Sequence, residues 1–189
     1  MTTTQNSPIT VQLPSGTYTL DPTHSRIGFV ARHAMVTKVR GSFNEFDATA
    51  QIDAEDLSRS SASVTIKVDS IDTRNEQRDG HLRSNDFLDI ANHPEITFVS
   101  TQVTPISADV VRVAGDLTIK GVTRPVSVDF TFEGAATDPF GNQRVGFEGS
   151  VVINRKDWGI TWNAALETGG VLVSDKIVLE FEVSAVKNA

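Results

Sequence analysis

Apolar and polar residues alternate along residues 126–133. Val126, Val128, Phe130 and Phe132 share one parity, and Ser, Asp, Thr and Glu stand between and after them. Successive side chains of a strand point to opposite faces, so this segment is predicted to be a strand with one buried face. Seven further strands are predicted, six on the same pattern and residues 96–100 with apolar residues on both parities: residues 26–29, 46–52, 64–69, 96–100, 111–120, 145–153 and 177–184.

Most connections between these strands are short, which favours antiparallel pairing. Residues 138–142, with Pro139 and Gly141, predict a hairpin turn between two of the clearest strands. The β-branched residues Val, Ile and Thr supply 54 of the 189 residues, a bias that favours pleated sheets over packed helices. The chain is therefore predicted to be mainly β, either a sandwich or a closed antiparallel barrel of about eight strands.

The alternation stops between residues 75 and 93, where charged residues dominate. Leu82, Phe87 and Leu88 are spaced roughly as on a helix, so this segment predicts one or two short helices that end before Pro94. Residues 1–16 are polar and contain two prolines, and they are predicted to be a flexible N-terminal arm. Residues 17–189 show no repeat or linker and are predicted to form a single domain.

Composition narrows the function classes. The net charge of −7 disfavours nucleic-acid binding and electrostatic docking on an anionic membrane. The absence of cysteine excludes disulfides, thiolate catalysis and cysteine-bound zinc. No apolar run approaches the ~18–20 residues of a transmembrane segment, and the first residues lack the features of a secretory signal. We therefore expect a cytoplasmic protein, in which exposed edge strands would allow a homodimer.

Candidate catalytic chemistry is sparse. The sequence has no Gly-x-Ser-x-Gly elbow, no carboxylate pair that stands apart from the polar strand faces, and no phosphate-binding glycine loop. His24, His33 and His81 could serve a metal-dependent binder or an enzyme, provided that their side chains converge. His33 shares the parity of Ile27 and Phe29, which predicts an inward position near a strand end. A histidine-dependent metal-binding protein or enzyme is therefore the alternative hypothesis.

Two features leave alternatives open. A barrel of about eight strands either fills its interior with side chains or holds one small ligand, and the phenylalanines and small residues of this chain suit both outcomes. Trp158 and Trp162 follow a predicted buried strand, together with Arg155 and Asp157. They could form a packed corner that closes one barrel end, or the aromatic wall of a ligand entrance.

The order and spacing of several motifs resemble the YceI-like family, from about Tyr18 to Val186. The residues that carry this resemblance are Asp21, His24, Ser25, Ile27, Phe29 and His33, then residues 78–87 with Pro94 and Phe98, residues 115–125, 138–146 and 153–159, Trp162, Asn163 and residues 167–175. The resemblance implies a lipocalin-like antiparallel barrel with an apolar tunnel.

The resemblance also implies a non-catalytic carrier of a long-chain isoprenoid or similar amphiphilic lipid, with no cofactor and no metal. Helices within residues 75–93 would cover an entrance. Polar groups at the mouth would receive the lipid head group, and His33, Arg155, Asp157 and Asn163 are the candidates. The residues expected to bind the ligand are Ile27, Phe29, His33, Phe87, Phe98, Leu117, Phe130, Phe147, Ile153, Arg155, Asp157, Trp158, Trp162 and Asn163.

Overall fold

The computed structural model describes residues 13–167 and 169–188. Within them the chain forms one α-helix and eleven strands, joined by turns and short 3₁₀ segments. The elements are β1 Gly16–Leu20, β2 Arg26–His33, β3 Thr37–Phe43, β4 Phe46–Ile52, β5 Ser61–Lys67, β6 Ile71–Asp72, α1 Glu76–Arg83, β7 Glu95–Pro105, β8 Val110–Ile119, β9 Val122–Thr137, β10 Gln143–Asn154 and β11 Lys176–Lys187.

Eight of these strands close an antiparallel barrel. The order is β1-β4-β5-β7-β8-β9-β10-β11, and β1 pairs with β11 to complete the circle, with Leu20 opposite Ala185. The prediction of a mainly β chain with a barrel of about eight strands is confirmed. The remaining strands extend from β11, whose residues 178–182 pair with β2, and β2 leads on to β3 and β6.

The strand β3 has no counterpart among the predicted strands, for a physical reason. Its inward positions are Val39, Gly41 and Phe43, so a glycine interrupts the apolar face. Phe29 of β2 lies opposite Gly41 of β3, and a Cβ on Gly41 would overlap the Phe29 ring. The apolar surface above this glycine therefore comes from the neighbouring strand, which an alternation pattern within β3 cannot show.

The charged segment contains the single helix α1. Asn75 caps it, since its side-chain oxygen accepts a hydrogen bond from the Arg78 N–H, and Asp79 accepts one from the Thr73 N–H beneath the first turn. Leu82, Phe87 and Leu88 pack onto the barrel core. We call residues 76–93 the helical cap and the barrel end that it covers the helix end. In the described ranges no helix is long and apolar enough to cross a membrane.

The opposite end of the barrel, here called the arm end, carries the last residues of the predicted arm. Residues 1–12 of that arm lie outside the described residues. Leu13 is buried against Tyr18 and Leu57, and the Tyr18 hydroxyl donates a hydrogen bond to the Pro14 carbonyl. Of residues 13–16, which the sequence assigns to the arm, Leu13 packs against the barrel and Gly16 is the first residue of β1.

Candidate functional site

The barrel encloses an apolar cavity of about 360 Å³. Inward residues from the strands line its length, and the surface that they present to it is apolar. A buried cluster that includes Val68, Ile96 and Trp158 packs toward the helix end, and a second cluster around Tyr18 and Val145 packs toward the arm end. A void between two packed ends is suited to an elongated apolar guest.

Exposure along the inward faces shows that the barrel is hollow. Tyr18 is 0% exposed within the arm-end cluster. Leu179, Phe181 and Val183 on β11 point inward as well, yet each stays only half-buried and lines the cavity. Because interiors are normally close-packed, inward apolar side chains with accessible surface mark a real void. The sequence leaves open whether the barrel interior is filled or hollow, and the structure shows that it is hollow.

Three inward glycines explain how a barrel with many phenylalanines keeps this space. At Gly41, Gly115 and Gly149, an added Cβ would run into the ring of a neighbouring strand's phenylalanine, respectively Phe29, Phe98 and Phe130. Each ring therefore occupies the space that a Cβ would need at the wall. Were the glycines larger, the rings would have to shift toward the lumen.

Ten of the fourteen predicted site residues line this cavity. They are Ile27, Phe29, Phe87, Phe98, Leu117, Phe130, Phe147, Ile153, Arg155 and Trp158. His33, Asp157, Trp162 and Asn163 lie outside the lining. His33 is exposed at the end of β2, a rim position rather than the inward one that its parity predicts. The part of each residue in ligand binding stays a prediction.

Several lining residues were missed at the sequence level. Ile177, Leu179, Phe181 and Val183 form the inward face of β11, and their alternation was a sufficient signal. Leu82 and Leu88 of the helical cap also line the cavity. The sequence signal for them is that they are among the few apolar residues of a charged segment. Val173 and Ile160 lie in irregular loops, where no repeating pattern predicts which way a side chain points.

Arg155 is 4% exposed, and its guanidinium donates hydrogen bonds to backbone carbonyls. Its Nε donates to Ser174 O at 2.8 Å, and Nη1 donates to Ile160 O and Trp162 O at 2.8 and 2.9 Å. Burial lowers the pKa of the guanidinium, and the Asp175 carboxylate at 3.7 Å opposes that shift. Arg155 thereby fixes the loop at the helix end whose described residues are 159–167 and 169–173, here called the 159–173 loop.

Asn163 bonds within the same loop. Its side-chain nitrogen donates to Val173 O at 2.8 Å, and its side-chain oxygen accepts from the Val173 and Ala164 N–H groups. These bonds use both the carbonyl and the amide end of the side chain. In this structure Asn163 therefore holds the loop closed on itself instead of presenting a polar group to the cavity.

The two tryptophans have different surroundings. Trp158 is buried, and its indole N–H donates to Leu117 O at 2.9 Å, which makes it the packed corner that the sequence allowed. The Trp162 ring lies 4.7 Å from the His81 ring and 5.3 Å from the Phe87 ring, centroid to centroid. These aromatic contacts join the 159–173 loop to the helical cap across the helix end.

The three candidate histidines do not form one centre. His24 precedes β2 and lies 2.8 Å from the Asp21 carboxylate, whereas His33 ends the same strand, and the eight residues between span roughly 26 Å at about 3.3 Å each. His81 lies in the helical cap, 2.9 Å from Asp86. Residues 13–167 and 169–188 contain no group of three or more His, Asp or Glu residues that could hold a metal ion.

A cluster of ion pairs stabilises the arm end. Arg144 lies 2.8 Å from a carboxylate oxygen of both Asp21 and Asp138. Hydrogen bonds from Thr23, Arg144 and His24 hold the pKa of Asp21 well below its usual range. The bond from Arg144, with further bonds from Asn142 and Phe140, lowers the pKa of Asp138 to about 2. The cluster ties the β9–β10 turn, predicted at residues 138–142, to the segment that links β1 and β2.

Comparison with known proteins identifies the barrel. A family model described as the YceI-like domain matches residues 18–185. The chain belongs to the YceI-like family. A UPF0312 protein of Staphylococcus epidermidis is 43% identical over 169 residues, which cover 89% of this chain and 95% of that protein.

Solved structures share the fold of this barrel. Burkholderia cenocepacia BcnA superposes with a TM-score of 0.77 at 25% identity, over 87% of this chain and 98% of that one. A domain from Saccharophagus degradans, described as a polyisoprenoid binding domain implicated in plant cell wall breakdown, superposes with a TM-score of 0.67. It covers 90% of this chain and 98% of its own at 16% identity, which shows the shared fold.

Proposed function

We propose that this YceI-like protein is a non-catalytic carrier that holds a long-chain isoprenoid, or a similar amphiphilic lipid, in the barrel. The observation that carries the proposal is the apolar cavity of about 360 Å³ inside the barrel, within the ~300–1,000 Å³ range of small-molecule sites. The fold shared with a domain described as polyisoprenoid binding supports the same ligand class.

The cavity chemistry favours a hydrocarbon chain over a polar guest. Each CH₂ group transferred from water into the lumen contributes about 0.8 kcal/mol. A polar group placed inside would lose its hydrogen bonds with water and find an apolar surface instead, which costs several kcal/mol. The guest therefore places its chain between the two clusters and its polar head at an end of the barrel.

The helix end is the proposed entrance, because it is closed by side-chain contacts between separate segments. The helical cap supplies Leu82, Phe87 and Leu88 to the cavity, and the 159–173 loop meets this cap through Trp162. Parting these two segments opens the lumen without breaking a barrel strand pair. The arm end, in contrast, is tied by the Arg144 ion pairs.

Two adjacent valines on β10 provide the test. Val151 points into the cavity, whereas Val152 is 58% exposed on the outer face. The apolar dye N-phenylnaphthylamine is bound to the purified protein and then displaced with geranylgeraniol. Val151→Phe fills the lumen and is expected to weaken dye and geranylgeraniol binding by about ten-fold or more, while Val152→Phe leaves both unchanged. Equal binding by the two folded variants contradicts a guest inside the barrel.

A further inference from the structure

The β2–β3 hairpin concentrates positive charge in an acidic chain. Residues 26–44 contain four cationic side chains and no Asp or Glu, whereas the whole chain has a net charge of −7. Arg40 lies 3.8 Å from Glu180 of β11. Arg32 and Lys38 are exposed and form no ion pair within the described ranges. The whole-chain charge, which disfavours an anionic membrane, therefore does not describe this hairpin.

Arg32 and Lys38 also lie directly opposite each other in the β2–β3 pair. Like charges at opposed positions of an antiparallel pair destabilise it. Two exposed cations side by side attract anionic groups, and binding of such groups relieves their mutual repulsion.

The tip of the same hairpin is apolar and strained. The turn runs from His33 to Val36, with Ala34 at φ 51° and Met35 at φ 63°. A β-turn whose two central residues both have positive φ is dominated by Asn, Asp and Gly, and other residues are strained there. Here Met35 is 59% exposed and Val36 is 77% exposed. Neither turn stability nor core packing explains exposed apolar side chains at these positions.

The tip adjoins the helix end of the cavity. Ala31 of β2 and Val173 line the cavity, and His33 pairs with Val173 in an isolated bridge. The Ala34 N–H donates to Leu172 O, and the neighbouring Val171 is exposed. Apolar surface thus continues from the lumen, past the bridge, to the exposed tip.

We propose that residues 32–38 dock this protein on an anionic lipid bilayer. Met35 and Val36 enter the interface between head groups and acyl chains, and Arg32 and Lys38 contact the lipid phosphates. The bilayer is the partner that fits, since it offers an apolar layer beneath a negatively charged surface. Docking stands on the hairpin alone. Passage of a lipid between the bilayer and the lumen through this surface rests on the proposed function.

The test is co-sedimentation of the full chain with vesicles of phosphatidylcholine alone or of equal parts phosphatidylcholine and phosphatidylglycerol. We expect binding to the mixed vesicles that weakens as salt rises. Arg32→Gln with Lys38→Gln is expected to weaken this binding about twenty-five-fold, at about five-fold for each cation. Failure of the unaltered protein to bind mixed vesicles overturns the proposal.

A second variant separates docking from folding. Ala34→Asn with Met35→Gly creates the preferred turn sequence, so the protein should unfold at higher denaturant concentration while its vesicle binding falls. The control, Phe140→Ser, removes one exposed apolar side chain elsewhere without changing the charge and should bind vesicles as the unaltered protein does. Equal vesicle binding by the tip variant and the control contradicts docking.

Displacement of N-phenylnaphthylamine by geranylgeraniol, measured on the same proteins, distinguishes the two proposals. Residues 32–38 lie outside the cavity lining, so the tip variants should bind both compounds normally. Vesicle binding that depends on the tip supports docking even if geranylgeraniol fails to displace the dye, a result that would contradict the carrier function alone. Geranylgeraniol binding without vesicle binding overturns docking and leaves the carrier function standing.

Discussion

Phe130 of β9 lies directly opposite Gly149 of β10, and a Cβ on that glycine would come within 2.9 Å of the ring. The same relation joins Phe29 of β2 to Gly41 of β3. Phenyl rings packed over glycines form a smooth apolar wall. The cavity therefore depends on which residue faces each ring, as well as on the number of strands.

Adding one methyl group at Gly149 tests this relation. Gly149→Ala should push the Phe130 ring toward the lumen, weaken geranylgeraniol binding by about ten-fold and lower the free energy of unfolding by about 1–3 kcal/mol. Dye displacement and urea unfolding measure the two effects.

Gly146→Ala on the same strand is the control, because a Cβ there meets only ordinary contacts at 3.7 Å and beyond. It should leave binding unchanged. Restoration of binding by adding Phe130→Leu to Gly149→Ala would confirm that the ring transmits the effect. Identical binding by Gly146→Ala and Gly149→Ala would show that the ring does not limit the lumen.

Arg155 should matter for stability through the carbonyls that it binds. Arg155→Met leaves the carbonyls of Ser174, Ile160 and Trp162 without this donor and is expected to lower the free energy of unfolding by about 2–4 kcal/mol. Urea unfolding provides the measurement. The neighbouring Lys156 is exposed, and Lys156→Met should cost less than about 0.5 kcal/mol. Similar losses for both variants would refute an organising role for Arg155.

Acid should weaken the arm end. The pKa values of Asp21 and Asp138 are lowered in the folded state, so their ion pairs stabilise the protein above the ordinary carboxyl pKa of 3.8. That stability is lost as the pH falls from about 4 toward about 2, where the folded carboxyls take up protons. Urea unfolding across this range should show a smaller fall for Arg144→Gln than for the unaltered protein.

Lys176→Gln removes the same charge from an exposed position and serves as the control. Its stability should fall with acid as steeply as that of the unaltered protein. A slope for Arg144→Gln that equals the slope of this control would place the acid sensitivity elsewhere in the molecule.

Opening of the helix end should set the rate at which a ligand enters and leaves the cavity. Trp162 lies outside the cavity lining but contacts His81 and Phe87 of the helical cap. Since an aromatic pair contributes about 0.5–1.5 kcal/mol, Trp162→Ala should speed dye uptake and release about five-fold with little change in affinity. Stopped-flow fluorescence measures both rates. Trp162→Phe should retain most of the slow exchange, whereas unchanged rates in Trp162→Ala would exclude this entrance.

The strands and the inward parity were predictable because alternation lies within each segment. Phe130, Phe147 and Ile153 were assigned inward by parity, and they line the cavity. The hollow interior was not predictable, since it depends on the pairing of Phe29 with Gly41 and of Phe130 with Gly149 across strands.

Polar residues were harder to interpret than apolar ones. Arg155 and Asn163 were expected to receive a lipid head group, yet both bond to backbone groups of the 159–173 loop. Nothing in their spacing distinguishes a side chain that binds a ligand from one that holds a loop. The concentration of positive charge in the β2–β3 hairpin was missed for a related reason, because net charge averages Arg32 and Lys38 with distant acidic residues.

The most direct test of the carrier function is native mass spectrometry of the protein purified from its host, followed by organic extraction and identification of the released lipid. The account predicts one bound molecule with a long apolar chain, retained by Val152→Phe and lost by Val151→Phe. A mass equal to that of the bare chain, unchanged after incubation with geranylgeraniol, would contradict it.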